Sequence, residues 1–539
     1  MGNKFTTRIK SNTPRIDHKS IFGAMAGIQY RYLVRLMVLL GLALNGCMPS
    51  YRADRLDLSA SKETPNSALS PEIAGDQSAP IVSPTPFYSP RPRYTPGELV
   101  DYTAQTGDTL VGLASRFNTT MQEIIEANPF IPTSATTMPP GMPMKIPIYY
   151  LPLWGSPYQI LPDSLFVNGP AQVGFDTKEF IDTHNGWLRN YSSYVADKNR
   201  NGAEIVDYVA HYYSVSPRLL LALLEFQSGA LSEIVVDQNK MDYPLGYEHW
   251  SRRGLFLQLA WAANQLNNGY YNFRTQKLVS LELKDGRMER IDPWQNAATA
   301  SLHRFFNELF NYEDYIEAIS LDGLAKTYME LFGDPWIELQ PHIQGSLEQP
   351  FFILPFEPGD IWALTGGPHT AWGSGEPLAA LDFAPPSKSS GCVSSGVWAT
   401  SVADGVVVRS ETGQVMLDLD GDGDERTGWS IFYLHIATDG RVPLGTQLDQ
   451  GDPIGHPSCE GGSATGTHIH IARKYNGEWL PAEGIGGGIL AFNFEGWTAH
   501  NGRQEYLGTL VRNAQIVTAC TCSNAKSFIQ SDHQIVQVK

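Results

Sequence analysis

Four histidines and one aspartate in the last third of this 539-residue chain are the residues best placed to do chemistry: His369, Asp382, His435, His468 and His470. His468 and His470 stand in Gly466-Thr467-His468-Ile469-His470-Ile471, whose alternation reads as a β-strand. Residues two apart on a strand share a face, so the two imidazoles project together while Ile469 and Ile471 point into a core. A lone strand histidine is usually structural, but two on one face mark a site. Imidazole and carboxylate suit zinc, and a catalytic zinc keeps three protein ligands and one water. His369, Asp382 and one member of the pair fill that set. Such a zinc lowers the pKa of its water and polarises a carbonyl, and the remaining imidazoles can move protons.

These residues need a β scaffold, and the sequence supplies one. Val406 to Arg409, Val415 to Leu417, Trp429 to Ile436 and Thr467 to Ala472 read as strands separated by glycine and proline. They outline an antiparallel β domain over residues 350–515, followed by a tail, 516–539. His369 follows Thr365-Gly366-Gly367-Pro368, Asp382 sits in Ala380-Leu381-Asp382-Phe383-Ala384, and His435 closes the strand Ile431-Phe432-Tyr433-Leu434. The order His, Asp, His, His-x-His resembles the lysostaphin and β-lytic family of zinc metallopeptidases, the LytM type. Position 378 is leucine, so the wide His369 to Asp382 spacing is similar to the β-lytic branch. The resemblance implies that His369, Asp382 and His470 bind one zinc, with His435 and His468 catalytic on the water side. It also implies endopeptidase action on peptidoglycan peptides. The alternative function is a non-enzymatic envelope protein that binds peptidoglycan or activates an amidase, which would show an incomplete ligand set. His456, in Gly455-His456-Pro457, lies outside the motif and reads as a loop residue.

Upstream, residues 101–150 follow a β-α-α-β order: a strand at Tyr102 to Gln105, helices from Leu110 and Met121, and a strand at Met144 to Pro147. Gly107-Asp108-Thr109-Leu110 and Asn128-Pro129 make the segment resemble a LysM module, which implies glycan binding with Gly107, Asp108, Thr109 and Asn128 at the site. Residues 165–345 read as helical, with helices over Arg218 to Phe226, Gly254 to Leu266 and Asn296 to Phe310. The string from Val215 to Gly229, with Gly254 to Leu259, resembles lytic transglycosylases. Those enzymes need one protonated glutamate. The corresponding place here holds Gln227, and Glu225 lies on a different helix face, so the resemblance implies a lysozyme-like domain without glycosidase activity. The expected fold is multidomain α+β: a small β-α-α-β module, an all-α lysozyme-like domain and an antiparallel β peptidase domain.

The remaining signals concern location and partners. Arg31 and Arg35 precede the apolar run Leu36 to Leu44, which is too short to span a bilayer but suits a signal peptide. Leu44-Asn45-Gly46-Cys47 resembles a lipoprotein signal, which implies a leader over 1–47 and a lipid on Cys47. Residues 48–100 are rich in proline and serine and read as a spacer. The expected location is the cell envelope, lipid-anchored and outside the cytoplasm. Net charge is −17, from 56 acidic and 39 basic residues, which argues against a general nucleic-acid binder. Cys392, Cys459, Cys520 and Cys522 suggest disulfides in an exported chain, with three pairings open. A bridge from Cys392 to Cys459 would brace the site, whereas Cys520 and Cys522 are too close for an unstrained mutual bridge. Asp418, Asp420 and Asp422 begin like a calcium loop, although Trp429 replaces the usual twelfth-position glutamate. Asp197 to Gly202 is a weaker case of the same kind.

Overall fold

A computed structural model describes residues 93–337 and 340–532. The leader, Cys47, the spacer up to residue 92 and residues 533–539 of the tail lie outside the described residues. Among the described residues, no helix is long and apolar enough to cross a membrane.

The first module pairs β1 (Glu98–Thr103) antiparallel with β2 (Pro143–Ile148), with helices α1 (Leu110–Phe117) and α2 (Met121–Ala127) between them. Thr109 caps α1 by accepting from Gly112 N, and Thr120 and Glu123 close a reciprocal capping box on α2. Leu110, Leu113 and Phe117, at helical spacing, fill its core. The residues expected to contact glycan are engaged within the fold. Asp108 accepts from Tyr102 Oη at 2.6 Å and Gln105 N at 2.8 Å and pairs with Arg116. Asn128 ties Ile124 O to both backbone groups of Lys145. A Cβ at Gly107 would lie 2.3 Å from the Arg274 guanidinium. Gly107, Asp108, Thr109 and Asn128 are all buried and help to build the module.

The next segment packs four main helices, with a short hairpin β3 (Ser192–Val195) and β4 (Lys198–Asn201) ahead of them. They are α3 (Gly202–Tyr213), α4 (Pro217–Ser228), α5 (Leu255–Arg274) and α6 (Ala297–Leu309). A second hairpin, β5 (Ser280–Glu282) with β6 (Met288–Arg290), lies between α5 and α6, so the segment is not all-α. Its strands are short and polar and carry little alternation to reveal them. Ala196 and Asp197 form the two-residue turn of the first hairpin, both at positive φ, and Asn201 caps α3. Asp197 to Gly202 is therefore a turn and a helix start, not a cation loop. Ser216 caps α4, Pro217 occupies its first turn and Gly229 ends it at φ 61°. Leu219 through Leu224 are all buried, as befits a central helix. Glu225 accepts from Leu231 N at 2.7 Å and Ser232 N at 3.2 Å, and so holds the turn after α4. Glu225→Gln should consequently lower the melting temperature slightly and leave intact the endopeptidase activity that the sequence resemblance implies. Loss of that activity with metal content unchanged would move the chemistry to this segment.

The last segment is built on an antiparallel sheet. Its strands are β7 (Ile361–Thr370), β8 (Leu378–Ala384), β9 (Gly405–Glu411), β10 (Gly413–Asp418), β11 (Trp429–Ile436), β12 (Gln447–Leu448), β13 (Ile469–Tyr475) and β14 (Phe528–Gln530). They run in the order β12-β9-β10-β11-β13-β8-β7-β14, and the two-residue strand Glu478–Trp479 also pairs with β13. β14 corrects the tail: Phe528 pairs with Ala363, so residues past 515 complete the sheet edge. A four-stranded sheet (Asn493–Phe494, Trp497–Asn501, Gly508–Arg512, Gln515–Thr518) stands beside it. Alternation decides what each face meets. Ile431, Tyr433, Ile469 and Ile471 enter the β core, while Phe432, Leu434 and Ala472 join the helical core. Both faces are thus covered, where an antiparallel sheet often leaves one face wet.

One side chain joins all three segments. Arg274, ending α5, donates to Thr106 O at 2.6 Å in the first module and lies 3.0 Å from Asp163 of the helical segment. It also lies 3.4 Å from Glu478 of the β segment. Glu478 accepts from Tyr270 Oη at 2.6 Å and faces His342 Nε2 at 2.7 Å. Burial opposes the Arg274 charge, and Glu478, Tyr270 and Asp163 more than offset it, so its pKa is raised.

Candidate metal centre

Strand register gathers the centre. Asp382 on β8 is the direct cross-strand partner of His470 on β13 and of Gly366 on β7. β7 is irregular between Gly366 and His369, which turns His369 toward the same point. Gly366 has to be small, since a Cβ there would come 2.4 Å from Asp382 Oδ2. On β11, Gly413 pairs with Ile436 and Gln414 with Leu434, so His435 is the extra, bulged residue. Its φ of 66° is a left-handed conformation rarely adopted outside glycine, asparagine and aspartate. His468 immediately precedes β13, and its ring centroid lies 4.5 Å from that of His435.

Backbone carbonyls orient each imidazole. His369 Nδ1 lies 2.9 Å from Gly367 O, and His470 Nε2 lies 3.2 Å from Ala371 O. His435 Nδ1 lies 2.9 Å from Glu460 O, and His468 Nδ1 lies 2.7 Å from Gly466 O. A carbonyl only accepts, so each of these nitrogens carries its proton, and the opposite nitrogen of a neutral ring presents a lone pair. His369 Nε2 and His470 Nδ1 then face one another at 3.0 Å, and Asp382 Oδ1 lies 3.3 Å and 3.5 Å from them. Two bare nitrogens and a carboxylate oxygen this close are three acceptors without a donor, and a cation resolves that conflict. Asp382 Oδ1 is indeed buried without a hydrogen-bond partner. Ligands about 2.0–2.1 Å from a tetrahedral zinc sit about 3.3–3.4 Å apart, so the donor set fits zinc. Burial, then the neighbouring His468, pulls His435 down to about 4.

The disulfide between Cys392 and Cys459 spans 67 positions, with Cα atoms 5.8 Å apart. Its neighbour Ser458 donates to His435 O from both N and Oγ, at 2.7 and 2.9 Å, and Glu460 holds the His435 ring. The bridge therefore braces the loop that presents His435. Cys520 and Cys522 are bonded to each other, across a spacing that disfavours an unstrained bridge. His456 lies outside the cluster, with Nδ1 on Val397 O at 2.8 Å and its ring against Trp398. Among the described residues, Asp418, Asp420 and Asp422 form a second group able to hold a cation. Sequence reasoning missed Tyr506, whose ring stacks on His369 at 4.2 Å. It comes from a loop of the four-stranded sheet, with no periodicity or motif to flag it.

Residues 102–147 match the family described as LysM domain, and residues 159–344 match LasA, N-terminal domain. Protease LasA of Pseudomonas aeruginosa is 26% identical over 350 residues, covering 62% of this chain and 78% of that protein. Beta-lytic metalloendopeptidase of Lysobacter enzymogenes is 29% identical over 138 residues, 24% of this chain and 72% of that protein. Among solved structures, "A Novel M23 Metalloprotease Pseudoalterin from Deep-sea" gives a TM-score of 0.27 at 22% identity, covering 32% of this chain and 96% of that one. The chain is a relative of Protease LasA and the β-lytic metalloendopeptidases that carries a LysM domain and a LasA N-terminal domain. The helical segment thus falls within the match to the LasA N-terminal domain. Within the string from Val215 to Gly229, Pro217–Ser228 forms a capped helix whose central residues Leu219 to Leu224 are buried, a pattern that unrelated helical cores share.

Proposed function

We propose that this chain is a zinc endopeptidase that cleaves the peptides of bacterial peptidoglycan. The observation that carries this reading is the convergence of three acceptors, His369 Nε2, Asp382 Oδ1 and His470 Nδ1, within 3.5 Å of one another. These residues would hold the zinc, which supplies Lewis acidity to a scissile carbonyl and acidifies a water. His435, neutral near pH 7, accepts a proton at Nε2 from the attacking water. The resulting imidazolium returns that proton to the leaving amine as the peptide C–N bond breaks. His468, its ring oriented by Gly466 O and lying beside His435, would share the proton handling with it. Tyr506 and the Gly367 carbonyl keep the His369 ring in its orientation. A non-enzymatic role would sit with a broken ligand set, whereas the set here is complete.

The relatives' names support peptidase action, and the LysM domain supports attachment to peptidoglycan. Cys47 is read as the lipid attachment point, placing the enzyme on the outer side of a membrane, on the strength of Leu44 to Cys47 alone. Calcium is the cation read for Asp418, Asp420 and Asp422, an oxygen-only set. The activity is tested with the full chain on cross-linked muropeptides, following new amino termini by mass spectrometry. The wild type should cleave them, and His470→Ala should be at least about a hundredfold slower. An intact substrate after prolonged incubation with the zinc-loaded wild type would overturn the reading.

A further inference from the structure

The hairpin between β10 and β11 does two things within ten residues. Its first half gathers carboxylates. Asp418, Asp420 and Asp422 each bring an oxygen within 4.8 Å of the others. Asp418 is fully buried, and its Oδ1 has no hydrogen-bond partner, although its Oδ2 accepts from Gly423 N at 2.9 Å. An unpartnered buried carboxylate oxygen facing two further carboxylates is costly unless a cation joins it. Gly423, at φ 90°, stands sixth from Asp418, where a calcium loop needs its sharp turn.

The second half docks on the helical segment. Asp424 holds Arg426 through Nε at 2.8 Å and Nη2 at 2.5 Å, and Arg426 Nη1 donates to Gln172 O at 3.0 Å. Glu425, also buried, lies 2.8 Å from His211 Nε2 on α3, and 3.0 Å and 3.2 Å from Arg409 and Lys474 of its own sheet. The two halves are wired together by short bonds. Asp422 Oδ1 accepts from Asp424 N at 2.9 Å, and Asp422 Oδ2 accepts from Thr427 Oγ1 at 2.6 Å.

We infer that calcium held by Asp418, Asp420 and Asp422 locks this hairpin against the helical domain, so that cation binding and the docking of that domain strengthen one another. The inference rests on reading the three aspartates as calcium ligands. Without the cation, three like charges, one of them buried, push the turn open. That movement drags Asp424 and takes Glu425 and Arg426 off His211 and Gln172. Coupling of this kind is reciprocal: whatever undocks the helical segment weakens calcium by the same factor. Trp429 stands where a high-affinity loop places a bidentate glutamate, so the affinity belongs to the range of extracellular modules, about 0.1–1 mM.

The test uses the full chain with one equivalent of zinc supplied throughout. Terbium luminescence, sensitised by Trp429 at the end of the turn, reads cation binding. Hydrogen exchange of residues 168–173 and 207–213 reads docking, with and without 10 mM calcium. In the wild type, terbium should saturate and be displaced by calcium, and calcium should slow exchange in both segments by about tenfold, the factor for a site of about 1 mM. Asp420 and Asp422 are exposed, so the double variant Asp420→Asn, Asp422→Asn should fold, bind no terbium and show no calcium effect. Arg426→Ala should still bind terbium, with a weaker affinity, and lose the protection at 168–173. Absence of a saturable terbium signal in the wild type would remove the calcium ligands themselves. Terbium binding with unchanged exchange in the helical segments would leave the cation site standing and overturn the coupling.

Discussion

His435→Ala is expected to retain its metal and lose about a hundred- to ten-thousand-fold in turnover, the usual contribution of a general acid or base. His435 lies beside the three-acceptor cluster without joining it, since its Nδ1 proton is committed to Glu460 O and its ring neighbour is His468. Removing it leaves His369, Asp382 and His470 in place. The bulged, left-handed backbone at this position complicates the variant, because alanine is strained there as well. His435→Asn is the control: asparagine tolerates the left-handed region, so this variant should melt no lower than His435→Ala and be as inactive. Zinc content, melting temperature and muropeptide cleavage measured together decide the matter. A variant that keeps both zinc and wild-type turnover would transfer the proton work from His435 to another group.

Arg274→Ala should destabilise the chain by about 3–5 kcal/mol, the cost of leaving buried charges without their partner. The guanidinium is 5% exposed and faces the carboxylates of Asp163 and Glu478, which are 2% and 0% exposed. His342 and Tyr270 remain to share Glu478, but Asp163 keeps only its bond from Ala298 N. The effect should also show in the form of the transition. Arg274 bonds to the first module through Thr106 O and to the β segment through Glu478, so its loss should split one melting transition into two or more. Differential scanning calorimetry reads both. An unsplit transition within about 1 kcal/mol of the wild type would mean that the other contacts between the three segments suffice without Arg274.

Elements with a strong local pattern were legible in the sequence. α2 spans Met121–Ala127 and β11 spans Trp429–Ile436, both as the residues suggest, because capping and alternation are local signals. The centre was legible for the same reason: His468 and His470 are two apart, and the remaining ligands sit in short motifs. What stayed hidden depends on contacts far apart in sequence. β14 is three residues long and is a strand only because β7 offers an edge. Asp108 and Asn128 carry the polar side chains expected of a binding face, yet both are consumed by internal hydrogen bonds. Hydrogen bonding within the module and the cover of Arg274 over Gly107 appear in no linear pattern. The cover on the outer face of the sheet, where Phe432 and Leu434 join the helical core, likewise depends on residues far apart in sequence.

The zinc content of the purified full chain, compared with that of His470→Ala, tests the central claim most directly. His470 is the residue whose strand register with Asp382 brings the cluster together. Both proteins should give the same circular dichroism spectrum. The wild type should carry one zinc per chain by elemental analysis, and His470→Ala should carry almost none and have no measurable cleavage of cross-linked muropeptides. Stoichiometric zinc in His470→Ala, or a wild type that cleaves its substrate after every trace of metal is removed, would contradict the assignment.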